Sequence, residues 1–134
     1  MERILMIQID YDKTMERAKE HLDALTNLID IGCFKVQKIQ LHQIQENTHL
    51  EDLIEITFPT RYDKLVYSTL EVFSRMNLES KRILYCVHLL GIKRKNLRSD
   101  NGTLDYFFGD PFGLYKKALL EFALTNEVFI AYKN

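Results

Sequence analysis

The chain is poor in the residues that break or staple a fold. Two prolines and five glycines in 134 residues leave little punctuation, so long regular elements with few breaks are expected. The two cysteines, Cys33 and Cys86, lie far apart and form no C-x-x-C pair. Each sits in apolar company and reads as a small buried hydrophobe with a reduced thiol. No apolar run approaches the roughly 20 residues of a membrane span. Residues 1–7 carry an acid at once and too short an apolar run for a secretory signal. A cytoplasmic protein with no membrane partner is the expectation. Neither sign of charge dominates: 18 basic residues stand against 19 acidic ones, a net charge of −1. That balance argues against a surface that coats nucleic acid or an anionic membrane as a whole. G-x-x-x-x-G-K-[ST] and G-x-G-x-x-G are both missing, which removes the usual phosphate-cradling loops.

What is present supports one core. Hydrophobic residues make up 46% and charged residues 28% of the chain, a composition that folds, at a length that suits a single domain spanning 1–134. Residues 3–9 are short, apolar and rich in isoleucine, and read as a buried strand. Met15, Ala18, Leu22, Leu25 and Ile29 are then spaced 3, 4, 3, 4, with Leu28 widening the stripe. This spacing predicts an amphipathic helix over 12–31 with Asp12 as its N-cap, and Gly32 follows where a helix can end in a left-handed residue. Alternation with a change of parity predicts a bulged strand over 34–44. A turn at 45–48 and a half-buried strand over 52–58 complete a hairpin, although Thr48 and Glu51 also have capping-box spacing. Thr60 and Asp63 open a helix over 61–77 whose stripe is Tyr62, Leu65, Val66, Leu70, Phe73 and Met76.

The apolar run 82–90 fits either a strand or a helix ended by Gly91, and the acid-to-base polarity from Glu79 to Lys95 favours the helix. Asp110 and Pro111 start a further helix, and 127–132 reads as a last strand. The expected fold class is α+β, an antiparallel sheet with helices packed on one face. Its order is β-α-β-β-α-(α or β)-α-β, which is ferredoxin-like if 82–90 is the fourth strand.

The chemistry-bearing residues do not assemble into a recognisable catalytic motif. His21, His42, His49 and His88 are scattered, without the spacing of a zinc site, so no metal and no cofactor is expected. Asp10 and Asp12 flank Tyr11 near a strand end, but capping accounts for them. Cys86 and His88 would share a face on a strand, yet apolar surroundings raise a thiol pKa and make it inert. Gly109 and Gly113 frame a helix start of ordinary type. No catalytic residue is assigned, and an enzyme is not expected.

Two stretches carry more information. Residues 86–98 join an apolar segment through Leu90-Gly91-Ile92 to a basic one, and resemble a helix-turn-helix. The resemblance implies DNA contacts from Lys93, Arg94, Lys95, Asn96 and Arg98. Val87 stands where a smaller residue is usual, and Asp100 where an apolar one is. The second stretch is aromatic: Tyr106, Phe107, Phe108 and Phe112 would anchor a protein partner if exposed. The resulting expectation is a small regulatory or adaptor protein acting through a protein interface, with a partner or as a homodimer. The alternatives are a DNA-binding regulator using 80–98, and a small-molecule-binding protein or enzyme with a pocket against the sheet.

Overall fold

A computed structural model describes residues 8–92 and 111–133, without the side chains of Pro111 and Phe112. Four α-helices and a two-stranded antiparallel sheet make up the described fold, which is of the α+β class. Helix α1 spans Tyr11–Asp30. Its cap is Asp10, not Asp12: Asp10 has extended backbone and its carboxylate accepts from the Lys13 N–H at 3.1 Å. The other end follows the sequence closely. Gly32 has φ +93°, its N–H donates to Ile29 O, and the Cys33 N–H reaches back to Leu28 O at 3.0 Å. This is a Schellman closure, which takes a left-handed residue at the glycine position.

Strands β1 (Phe34–Val36) and β2 (Ile54–Ile56) pair in register Phe34 with Ile56 and Val36 with Ile54. The expected bulged strand over 34–44 is much shorter than predicted. After Val36 the chain leaves the ladder, makes a 3-10 turn at Leu41–Gln43, and returns through a second at Leu50–Leu53. Its backbone groups find other partners. The Tyr85 hydroxyl accepts from Ile39 N–H and donates to Gln37 O. Arg82 donates twice to Ile44 O, at 3.0 and 2.6 Å. Lys81 Nζ donates to Gln45 O, Glu46 O and Thr48 O at 2.9 to 3.1 Å.

Helix α2 spans Asp63–Ser74, opened by the Asp63 carboxylate accepting from Thr60 N–H and Oγ1. Helix α3 spans Leu78–Leu84 behind an Asn77 cap and runs on as a π turn at Tyr85–Leu89. Residues 82–90 are therefore helical and supply no fourth strand. The ferredoxin-like sheet covered on one face does not form among the described residues. Here the helices build the core and the small sheet lies at its side. Helix α4 (Pro111–Thr125) packs on α1 and α3. Ala18 and Leu22, Leu70 and Phe73, Ile83 and Leu84, and Ala118 and Phe122 meet in one cluster.

The predicted last strand is a 3-10 turn at Glu127–Phe129 followed by an isolated pairing of Tyr132 with Ile9. Asp10 N–H donates to Ala131 O, and Lys133 N–H to Gln8 O. The described ends of the two predicted terminal strands thus pair with each other. Residues 3–7 of the first lie outside the described residues.

Candidate functional site

The residues singled out from the sequence as interface or DNA contacts fall largely outside the described chain. Lys93, Arg94, Lys95, Asn96 and Arg98, and Tyr106, Phe107 and Phe108, are among the undescribed residues, as is the side chain of Phe112. What the structure does show is a second set of groups, arranged between helices.

Helices α1 and α2 do not close fully on each other. A half-open groove of about 350 Å³ runs between them, lined by Ala24, Leu25 and Leu28 from α1 and by Tyr62, Leu65 and Val66 at the α2 side, with His21, Asn27 and Thr69 as its polar members. The local reason lies in the stripes. Both helices carry more apolar surface than the core takes up. Leu65 is 52% and Tyr62 40% exposed, while Val66, one residue along, is buried. Ile31 lies one turn beyond Leu28, and Phe58 lies four residues before Tyr62 with its N–H donating to Cys33 O. Both are strongly exposed, at 73% and 69%. These four large apolar side chains belong to the ends of the segments that form the groove, a concentration that marks interaction surface more often than scattered apolar residues do.

Two of the groove's polar members, His21 and Thr69, are bonded to each other. His21 Nε2 lies 2.8 Å from Thr69 Oγ1, and Thr69 Oγ1 also donates to Leu65 O at 2.9 Å. The hydroxyl has a single hydrogen. Both contacts are hydrogen bonds together only when that hydrogen goes to Leu65 O and the imidazole donates from Nε2. The ring packs on Phe129 and Phe122, at centroid distances of 4.9 and 6.1 Å. Burial against these rings pushes the His21 pKa below the ordinary histidine value, so the ring is neutral at pH 7.

A deeper network surrounds His88. Its Nδ1 is 3.0 Å from Thr26 Oγ1 and its Nε2 2.8 Å from the Tyr115 hydroxyl. Thr26 also contacts Leu22 O and His88 O, and Asp23 Oδ1 lies 3.9 Å from Nδ1. Asp23, histidine and tyrosine in a row have the elements of a proton relay. However, His88 is 1% exposed and is not among the residues that line the α1–α2 groove. The π turn delivers it to α1 and α4 as a tie between helices. Because 82–90 is helical and not a strand, Cys86 and His88, two residues apart, lack the common face that a strand would give them. Both cysteines are buried free thiols.

His42 and His49 stand apart. His49 Nδ1 is 3.5 Å from Glu51, and no three potential ligands converge among the described residues. No described helix is long and apolar enough to cross a membrane. Comparison of the chain with protein-family models, with curated proteins and with solved structures gives no match.

The sequence did not single out the groove. Leu28 beside Leu25, and Leu65 beside Val66, were the visible signal: each is one apolar residue more than a helix needs to face a single core.

Proposed function

We propose that the chain is a non-catalytic cytoplasmic adaptor or regulatory module that holds one apolar face of a partner protein in the α1–α2 groove. The observation that carries this reading is the groove itself, half open and apolar, with Tyr62 and Leu65 exposed at its edge. Ile31 and Phe58, next in sequence to the segments that line the groove, are two more exposed apolar side chains that a small molecule within the groove would leave uncovered. That favours a macromolecular occupant, and two flanking helices suit an amphipathic helix laid between them. The polar groups present are too few and too committed for catalysis. His21 is neutral and tied to Thr69, while Asn27 lies at the surface.

The test is selection from a displayed library of 20-residue amphipathic peptides on the wild-type protein, with counter-selection on Leu65→Glu. Enrichment of sequences with apolar residues at i, i+3 or i+4, and i+7, lost on Leu65→Glu, supports the reading. No enrichment, or enrichment indifferent to Leu65→Glu, overturns it. A dimer dispersed by the same substitution identifies a second copy as the occupant.

DNA binding is the second reading. One observation favours it: 82–90 is helical and Gly91 follows at φ +73°, as the first half of a helix-turn-helix requires. Anisotropy of a mixed-sequence duplex, titrated at low and then physiological salt, decides it. Salt-sensitive binding that weakens in Lys93→Ala, Arg94→Ala, Lys95→Ala promotes this reading, and no binding at low salt removes it.

A further inference from the structure

Lys81 is a buried cation with no anion in contact. Its Nζ donates to the carbonyl oxygens of Gln45, Glu46 and Thr48 at 2.9 to 3.1 Å, which commits every hydrogen of the ammonium group. Among the described residues no carboxylate comes within ion-pair distance of it. A lysine in a salt bridge is one half of a charge pair. A lysine at a cluster of carbonyl oxygens stands where a free ion would, because carbonyl dipoles are what a backbone site offers a dehydrated monovalent cation.

The carbonyls do not depend on Lys81 for their arrangement. Thr48 N–H donates to Gln45 O at 3.0 Å, the closure of a β-turn. Gln45 N–H donates to Thr48 Oγ1 and Gln45 Nε2 to His42 O, at 2.8 and 2.6 Å. On either side the segment is fixed to helices: Arg82 holds Ile44 O, and Ser74 Oγ accepts from Leu50 N–H. Burial disfavours the ammonium form of Lys81; of the nearby charges, Glu46 and Glu51 favour it and Arg82 opposes it. Two carboxylates against one guanidinium leave a field that attracts a cation when the lysine is taken away.

We propose that the 45–48 turn is a carbonyl site for a monovalent cation of ammonium size, and that Lys81 fills it as a tethered ion. The wild-type fold is then indifferent to the free cations around it, and a chain without the Lys81 ammonium acquires a need for one.

Lys81→Ala tests this, because propylammonium is the fragment that it removes. Thermal unfolding of the variant is followed with propylammonium chloride. Propan-1-ol controls for the apolar stem and tetramethylammonium chloride for ionic strength. Propylammonium should raise the midpoint by about 5 °C at ten times its dissociation constant, and neither control should match it. A variant that is unfolded without additive should refold as propylammonium is added, read from its amide signals at 44–50. The wild type, and Lys81→Met with the stem's place filled, should show no such gain.

Equal gains from propan-1-ol and propylammonium would mean an apolar hole, and equal gains from the two salts would mean screening. Either overturns the proposal, as does a variant that no additive affects. The wild type gives an independent readout. In a 15N spectrum of the lysine side chains, Lys81 should show an ammonium group in slow exchange with water, with couplings across its hydrogen bonds to the carbonyl carbons of Gln45, Glu46 and Thr48. A Lys81 ammonium in fast exchange, without those couplings, sinks the proposal even where the variant responds.

Discussion

His21 shows how one side chain reports both on stability and on the groove. Its imidazolium is disfavoured by burial, so its folded pKa lies below the unfolded value of about 6.5. Between those two values the unfolded chain binds more protons than the folded one, and stability then rises with pH. The contribution is whole above about pH 6.5 and is lost as pH falls through the lower, folded value. Urea unfolding at pH 7.5 and pH 5.5 should show a larger loss for the wild type than for His21→Gln, which cannot titrate. Equal losses would mean that His21 is not held neutral by the fold. The other histidines are common to both proteins and cancel in the comparison.

At the level of elements, α3 does more than fill the core. Its face toward 37–48 carries Lys81, Arg82 and Tyr85, and together they take up the backbone groups that a longer strand would have satisfied. Lys81 is completely buried, and its three N–H bonds to carbonyls use all three ammonium hydrogens. Burial lowers its pKa, against the pull of Glu46 and Glu51, which raise it; the three acceptors hold the charged form. Lys81→Met keeps the length of the side chain but takes the ammonium donor from three carbonyls, of which Gln45 O keeps the Thr48 N–H. A loss on the order of 3 kcal/mol is expected, read as a lower urea midpoint, with amide exchange at 44–50 accelerating first. A variant as stable as the wild type would show that water replaces the ammonium without cost.

The same elements explain what could be read from the sequence. Helix α1 was legible because its 3, 4, 3, 4 spacing is a local pattern, and Gly32 because only its backbone matters. Residues 34–44 alternate like a strand, yet the side chains that bond Gln37, Ile39 and Ile44 are those of Arg82 and Tyr85, 38 to 48 positions away, and no local pattern carries that information. The run 82–90 was ambiguous because its apolar and polar members alike are buried: Arg82 and His88 face inward with Ile83 and Leu84. The groove was half legible. Its residues lay in the predicted stripes, but the division between core and open surface depends on how far α2 stands from α1.

On the scale of the whole molecule, helices from distant parts of the chain share one core, and the two ends of the described fold are tied together. Thr14 Oγ1 accepts from the Ala131 N–H at 2.9 Å across 117 positions, beside the Asp10 to Ala131 bond. The first helix therefore borrows its opening from the last residues. During synthesis, helices α1 to α3 leave the ribosome with the start of α1 still open. They also lack α4, against which α1 and α3 pack. The partial fold carries uncovered apolar faces for as long as those residues are missing, and these faces are covered only when α4 and Ala131 arrive. A ribosome stalled before residue 131 would hold a chain whose most exposed liability is the α4-facing side of α1, a target for the chaperones that attend nascent chains.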